Sequence, residues 1–246
     1  MRFGYASEAT PGRVNEDFAA VGPGWVVLLD GATAQPGVES GCRHDPAWLV
    51  RRLGGLLAAR LALEGGEPLA DLLAENIKAV AEQHALSCDL GNPDSPSATV
   101  AMLRRREERL DWLVLADSPV VVDVAGEVRV LRDDRVDRLP AYTAQAVREA
   151  RNAPGGFWVA STRPEAAYEA LTGELPVEGV RRAAVLSDGA ARLVERFGVM
   201  GWAELLDLLE SEGPGEVVRR TRELEAVRGG ERGKRYDDAT AVFVRF

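Results

Sequence analysis

The chain is poor in cysteine and histidine. Its two cysteines, Cys42 and Cys88, cannot form a disulfide framework, which favours a reducing compartment and a cytoplasmic protein. No apolar run approaches the ~20 residues that a membrane-spanning helix needs, and residues 1–5 lack the apolar stretch of a signal peptide. Zinc is disfavoured as a bound metal, because His44, His84 and the two cysteines show no ligand spacing typical of a zinc motif.

Positive charge is also scarce. The sequence has 30 lysines and arginines against 39 aspartates and glutamates, so its net charge is -9. This charge argues against nucleic acid as the main partner, since phosphate binding needs a clustered excess of cationic side chains. The 246 residues are 46% hydrophobic, which excludes a disordered chain and allows a substantial core.

Hydrophobic patterning predicts strands joined by short connections, with helices grouped between them. Hairpin-length connections imply antiparallel sheets, and the amphipathic helices imply layers that cover those sheets. The sequence therefore predicts one α+β domain over residues 1–246. The predicted strands cover residues 18–21, 25–29, 98–103, 110–115, 120–124, 127–131, 157–160, 183–186 and 239–246, and the predicted helices cover 46–63, 68–86, 141–151, 164–171, 190–197, 202–209 and 216–226.

Aspartates recur at the ends of the predicted strands. Asp30, Asp117 and Asp188 each follow a hydrophobic run, whereas Asp17 and Asp237 precede one. A strand fixes its terminal side chain in position, and several carboxylates that converge in a low-dielectric cleft repel one another strongly. A divalent cation removes that repulsion, and ligation by oxygen alone suits Mg²⁺ or Mn²⁺.

Each of these aspartates also fits an ordinary structural role. Asp30 with Gly31 is a common turn pair, Asp188 sits where a helix is capped, and Asp117 fits a tight turn between strands. Asp237 fits a solvated position before an edge strand. Their recurrence in five similar strand contexts favours the shared metal site.

The motifs that carry these aspartates resemble those of the type 2C, metal-dependent serine/threonine protein phosphatases, and the resemblance covers almost the whole chain. It implies two antiparallel β-sheets packed as a sandwich and flanked by helices, in α-β-β-α order. It also implies a centre of two Mn²⁺ or Mg²⁺ ions at one end of the sandwich. The motifs are Arg-Val-Asn-Glu-Asp at 13–17, Leu-Asp-Gly at 29–31, Ser-Ala-Thr at 97–99, Ala-Asp-Ser at 116–118, Leu-Ser-Asp-Gly at 186–189 and Asp-Asp-Ala-Thr at 237–240.

The resemblance also implies a role for each ligand. Asp30 is expected to bridge the two metal ions, and Gly31 to bind one of them through its carbonyl oxygen. Asp188 and Asp237 are expected to hold the other ion. Asp17 is expected on the second ion or on its water shell.

Two further residues receive roles from the resemblance. Asp117 is expected to hold a third, weaker metal ion together with Asp188. Arg13 is the nearest candidate for the arginine that binds the substrate phosphate, although it lies one residue closer to the acidic pair than the family pattern has it.

Three positions depart from the family pattern. Ala32 and its successors replace a second glycine pair, Pro119 replaces an arginine, and Asp238 replaces an asparagine. None of these changes removes a carboxylate of the predicted site. We therefore expect an altered substrate specificity more than a loss of metal binding.

The implied activity is hydrolysis of phosphoserine and phosphothreonine in proteins by a metal-activated water, without a protein nucleophile. The expected partner is a phosphorylated protein, either a serine/threonine kinase or its target, with no nucleic acid and no membrane. Two alternatives stay open: a catalytically weak domain that binds a phosphoprotein or regulatory partner, and a phosphatase for a small metabolite. His44 with Asp45 is a candidate proton donor, although a surface or capping role is the preferred interpretation.

Overall fold

Two five-stranded antiparallel sheets form the centre of a computed structural model that describes residues 1–32, 37–63, 65–141, 143–229 and 234–246. Helices lie against both sheets, and short 3-10 helices cover Val136–Arg138 and Pro164–Glu169. The strands are β1 (Arg2–Glu8), β2 (Asp17–Gly22), β3 (Trp25–Ala32), β4 (Ser97–Arg106), β5 (Arg109–Leu115), β6 (Val120–Val124), β7 (Glu127–Leu131), β8 (Leu171–Pro176), β9 (Val180–Leu186) and β10 (Ala239–Arg245), and the helices are α1 (Pro46–Leu61), α2 (Leu69–His84), α3 (Ala144–Ala150), α4 (Asp188–Glu195), α5 (Trp202–Ser211) and α6 (Pro214–Arg228).

The strand order is β1-β10-β9-β6-β7 in the first sheet and β2-β3-β4-β5-β8 in the second. Fully buried valines and leucines of both sheets meet in one cluster, which includes Leu28 and Leu103 of the second sheet and Val122 and Val185 of the first. A second cluster packs α1 and α2 on the outer face of the second sheet, and a third packs α4, α5 and α6 on the first. The predicted α-β-β-α sandwich is confirmed.

Helix α1 shows why the predicted elements form. Leu49, Leu53, Leu57 and Leu61 recur every four residues and are all buried, so they make one apolar stripe against the sheet. The carboxylate of Asp45 accepts a hydrogen bond from the backbone N–H of Trp48 at 2.8 Å and caps the helix.

The sequence-based prediction differs from the structure at the edges of the sheets. Strands β1 and β8 were not predicted, because both are edge strands with half-exposed side chains and no hydrophobic run. The predicted strand over 157–160 is wrong, since this segment makes only isolated bridges, one of them between Ala98 and Ala160. The predicted helix over 164–171 is a short 3-10 helix that ends at Glu169.

The topology brings the predicted ligands to one end of the sandwich. The end of β3 and the start of β2 lie side by side, as do the end of β9 and the start of β10. Among the described residues, no helix has the length and apolar character needed to span a membrane.

Candidate metal centre

The two sheets meet at a group of carboxylates. Asp17 and Asp30 are direct cross-strand partners on β2 and β3 of the second sheet. Asp188 begins α4 directly after β9 of the first sheet, and its backbone N–H donates to Oδ2 of Asp30 at 3.2 Å. Asp237 precedes β10, which pairs with β9. The structure therefore brings together aspartates that are more than two hundred residues apart in the chain.

Asp30 is at the electrostatic centre of this group. Burial raises the pKa of Asp30 well above its usual range, and the negative charges of Asp17, Asp188, Asp237 and Asp117 raise it further. A carboxylate that interacts with four others is unstable in its charged form unless a cation lies among them. The predicted convergence of the five aspartates is thus visible in the structure.

Asp17 is buried without a partner. Its side chain is 7% exposed, and neither of its carboxylate oxygens accepts a hydrogen bond from any residue that the structure describes. Burial first, and then the charge of Asp238, raise the pKa of Asp17 to about 7. The hydroxyl groups of Thr240 and Ser187 oppose this rise, although neither makes a well-aligned hydrogen bond to the carboxylate. A buried carboxylate without hydrogen bonds is typical of a position that a cation completes.

Asp117 and Asp188 line one side of the group. They share a cavity of about 610 Å³ with Glu195, a residue that the sequence analysis missed. Burial and the charge of Asp188 raise the pKa of Asp117 to about 7, and burial also raises the pKa of Glu195 to about 7. Glu195 is seven residues after Asp188 on α4, so the two residues share a helix face.

A buried ion-pair network positions Asp237. Arg192 donates to Oδ2 of Asp237 at 2.6 Å and to the fully buried Glu225 at 2.6 Å. Arg222 donates to the backbone carbonyl of Asp237 at 2.6 Å. Burial and the charge of Asp188 nevertheless raise the pKa of Asp237. The basic residues of α6 are therefore more than a solvated helix face at this position.

Asp238 ties the segment before β2 to the start of β10. Its two carboxylate oxygens accept hydrogen bonds from the backbone N–H groups of Thr10 and Glu16, each at 2.6 Å. In the sequence, Asp238 is visible only as a departure from a family pattern. The structure gives it a positioning role for the segment that carries Asp17.

Glycine is required at two positions in the group. The backbone N–H of Gly31 donates to the carbonyl of Glu16 at 3.0 Å, and a Cβ on Gly31 would lie 2.7 Å from that carbonyl oxygen. A Cβ on Gly189 would lie 1.9 Å from the carbonyl oxygen of Asp238. Larger side chains would separate the elements that carry the aspartates.

Arg13 is the one predicted site residue that the structure leaves at the surface. Its side chain is exposed, and its backbone N–H donates to the carbonyl of Thr10 in a turn. A second arginine, Arg151, lines a cavity of about 280 Å³ together with Glu16 and Ala32, next to the carboxylate group. The Nε atom of Arg151 is buried and has no hydrogen-bond partner within the described ranges.

The donor set fits hard cations. The carboxylates of Asp17, Asp30, Asp188 and Asp237 and the carbonyl of Gly31 offer oxygen only, which suits Mn²⁺ and Mg²⁺. Within the part of the chain that the structure describes, no three of these carboxylates offer oxygen atoms that all lie within 4.8 Å of one another.

Comparisons with known proteins agree with this geometry. The sequence profile of the family described as protein phosphatase 2C matches residues 6–225. The Mycobacterium tuberculosis serine/threonine phosphatase PstP/Ppp has 21% identity and a TM-score of 0.64, over 100% of this chain and 98% of that one. The PstP catalytic domain in complex with two manganese ions gives 21% identity and a TM-score of 0.63, over 98% and 96% of the two chains.

A third structure shows the same fold at lower identity. The serine/threonine phosphatase Stp1 from Staphylococcus aureus has 12% identity and a TM-score of 0.63, over 99% of this chain and 94% of that one. A sequence search of curated proteins gives no significant match. The structural likenesses establish the fold, and the profile match extends over most of the chain.

Proposed function

The chain belongs to the protein phosphatase 2C family, and we propose that it hydrolyses phosphoserine and phosphothreonine monoesters in proteins with two Mn²⁺ or Mg²⁺ ions. Family and fold are those of a metal-dependent protein phosphatase. The observation that carries the proposal is the buried carboxylate group around Asp30, in which Asp17 has no hydrogen-bond partner among the described residues.

The proposed ligands follow from the family motifs and from the positions of the side chains. Asp30 would contribute to both ions, the carbonyl of Gly31 would hold one of them, and Asp188 and Asp237 would hold the other. Asp17 would bind the second ion or its water shell. When bound, two such cations neutralise the charge of the phosphoryl oxygens and lower the pKa of water into the neutral range.

The residues of the chain position these ligands. Arg192 and Glu225 hold Asp237 in one orientation, so that this carboxylate does not have to be ordered when the ions bind. Asp238 fixes the backbone of Glu16, whose carbonyl in turn accepts the N–H of Gly31. We propose that Asp117 and Asp188 hold a third, weaker ion in the cavity that they share.

An arginine is needed to bind the substrate phosphate, because a guanidinium group matches the geometry of phosphoryl oxygens. Arg13 keeps this proposed role on the basis of its motif. Arg151 is the second candidate, since its Nε has no hydrogen-bond partner among the described residues and its side chain lines a cavity with Glu16 and Ala32.

The proposed partner is a phosphorylated protein, either a serine/threonine kinase or its target. The net charge of -9 supports a protein substrate over nucleic acid. A cytoplasmic location is part of the proposal and rests on the scarcity of cysteine.

The test is Mn²⁺-dependent hydrolysis of p-nitrophenyl phosphate and of phosphoserine and phosphothreonine peptides. We expect Asp30→Ala to lower the rate by roughly a hundred-fold or more, since metal stabilisation of the transition state is worth several kcal/mol. Glu82→Gln, a change at an exposed carboxylate on α2, is the matched control and should keep full activity.

Three results would contradict the proposal in different ways. Binding of a phosphoprotein without hydrolysis in Mn²⁺ or Mg²⁺ would identify a catalytically weak binding domain. Faster hydrolysis of sugar phosphates than of phosphopeptides would identify a small-metabolite phosphatase. Activity that survives Asp30→Ala would show that the carboxylate group is not the active centre.

A further inference from the structure

Four side chains outside the carboxylate group converge at the end of α2. Cys42 and His44 lie on the segment that leads into α1, His84 is the last residue of α2, and Cys88 lies in the turn that follows. One ligand atom of each residue lies within 4.8 Å of the ligand atoms of the other three. We propose that these four residues bind one structural Zn²⁺ ion.

The distances between sulfur and nitrogen atoms support zinc. Sγ of Cys42 lies 3.5 Å from Nδ1 of His44 and 3.5 Å from Nδ1 of His84, and Sγ of Cys88 lies 3.5 Å from Nδ1 of His44. In a zinc tetrahedron with Zn–S bonds of about 2.3 Å and Zn–N bonds of about 2.0–2.1 Å, sulfur and nitrogen ligands are about 3.5 Å apart. Three edges of the expected tetrahedron are therefore already in place.

The two sulfur atoms are close but not bonded. Sγ of Cys42 and Sγ of Cys88 are 2.8 Å apart, whereas a disulfide bond measures about 2.0 Å. A small opening to the ~3.8 Å sulfur edge of a zinc tetrahedron would complete the site. A disulfide would use the cysteines alone and would give no role to the two imidazole nitrogens that face them.

The chemistry of the donors selects zinc over the cations of the carboxylate group. Two thiols and two imidazoles form the Cys₂His₂ set of structural zinc sites, and tetrahedral sulfur–nitrogen ligation is foreign to Mg²⁺ and Mn²⁺. Two thiolates also neutralise the charge of Zn²⁺. A neutral complex suits this position, where His84 is 4% exposed and the two cysteines are half-buried.

The surrounding backbone holds the two ligand-bearing segments together. The backbone N–H of Asp89 donates to the carbonyl of Gly41 at 2.8 Å, and the side-chain amide of Asn92 donates to the carbonyl of Glu39 at 3.0 Å. These bonds join the segment before α1 to the turn after α2. The ion would strengthen this connection between the segment before α1 and the turn after α2.

The imidazole rings are also supported by aromatic packing. His44 stacks on Trp48 with ring centroids 4.0 Å apart, and His84 meets the same ring edge-on at 5.1 Å. Trp48 lies on the first turn of α1. The two rings are thus oriented before any metal binds, which is the arrangement that favours binding.

The test uses the full chain purified without chelator from cells grown with zinc. Cys42 and Cys88 are the only cysteines of the chain, so a thiol reagent reports on this site alone. We expect elemental mass spectrometry to find about one zinc ion per chain. The thiol reagent should release this ion as it reacts with both cysteines. Cobalt substitution should give the intense visible bands of tetrahedral Co²⁺ with thiolate ligands.

Variants separate this site from the carboxylate group. Asp30→Asn should keep the zinc ion and the cobalt spectrum, and so should Ser87→Ala, which changes a hydroxyl 3.7 Å from Sγ of Cys88. The double variant with Cys42→Ser and Cys88→Ser should lose both the zinc ion and the cobalt spectrum. The measurements on the wild-type and Asp30→Asn proteins decide the test. The test is therefore still valid if the cysteine variant misfolds.

The proposal fails if the wild-type protein contains no zinc and two free thiols. It also fails if the cysteines form a disulfide, seen as a mass lower by two hydrogens and no reaction with the thiol reagent. Loss of the zinc ion in Asp30→Asn would assign the metal to the carboxylate group instead.

Discussion

In the metal-free protein, the buried negative charge of Asp17 is destabilising, and replacing Asp17 by asparagine removes that charge. The pKa of Asp17 is raised from 3.8 to about 7, so the folded state keeps a proton that the unfolded state has released. The contribution of Asp17 to the free energy of unfolding is therefore fully present below its unfolded-state pKa of 3.8 and is lost as the pH rises to about 7. The difference of about three pH units corresponds to about 4 kcal/mol, and an unpartnered amide costs roughly 1–3 kcal/mol. We expect Asp17→Asn to stabilise the metal-free protein above neutral pH by about 1–3 kcal/mol.

Manganese should reverse the sign of this effect. Wild-type protein should gain stability from the proposed ions, whereas Asp17→Asn lacks a proposed ligand and should gain less. The assay is urea unfolding followed by the fluorescence of the five tryptophans, at about pH 5 and about pH 8, with and without Mn²⁺. Glu82→Gln on α2 is the control at an exposed carboxylate. It should change neither the pH dependence of the free energy of unfolding nor its response to Mn²⁺. The reasoning would be refuted if Asp17→Asn changed the free energy of unfolding equally at both pH values and left the response to Mn²⁺ unchanged.

Two further substitutions test the supports of the site. Gly31→Ala places a Cβ 2.7 Å from the carbonyl oxygen of Glu16 and should destabilise the protein by about 1–3 kcal/mol. The Cβ of Gly55→Ala on α1 meets open space, so this change should stabilise the protein by up to about 1 kcal/mol. Urea midpoints compare the two, and a destabilising Gly55→Ala with a neutral Gly31→Ala would contradict the packing argument. Asp238→Ala leaves the N–H groups of Thr10 and Glu16 without acceptors and should cost about 2–4 kcal/mol. Asp238→Asn should recover part of that loss in the same assay, and equal losses in both variants would argue against the hydrogen bonds.

The hairpin of β6 and β7 shows what local sequence determines. Residues 120–124 and 127–131 were predicted with the bounds that the structure has. Ala125 and Gly126 both adopt positive φ, at 53° and 92°, which is the turn geometry that joins two strands through two residues. The information for this hairpin lies within twelve residues.

Strand β1 shows what local sequence leaves open. Arg2–Glu8 has a mixed pattern of half-buried and exposed side chains, and it becomes a strand because β10 supplies a paired edge more than two hundred residues later. The strand β8 has the same cause, since its pairing partner is β5. A pattern that depends on a distant neighbour cannot be recognised from the segment itself.

The carboxylate group was predictable because each aspartate carries its own signal, a charge at the end of a hydrophobic strand. The residues that hold these aspartates carry no such signal. Arg192 and Glu225 lie on different helices, and only the packing of α4 against α6 brings them to Asp237. The sequence thus predicts the ligands better than it predicts their supports.

The cysteine and histidine cluster was dismissed for the same physical reason. Zinc motifs are recognised by short ligand spacings along the chain, whereas Cys42 is 42 residues from His84. The helices α1 and α2 fill that interval and pack against each other, so they return the chain to its starting point. In this chain, the packing of α1 against α2 brings the two ends of that interval together.

The two metal centres would therefore support different parts of one segment. Asp30 is held by contacts of the sheets, with Asp17 beside it and the N–H of Asp188 above it. Strand β3 ends at Ala32, and the described chain before α1 contacts the turn after α2 through Glu39, Gly41 and the cluster residues. His44 also lines the cavity next to the carboxylates. If the proposed function holds, zinc would thus shape a cavity wall that includes His44, whereas the sheets and the ion pairs of α4 and α6 would place the carboxylate ligands.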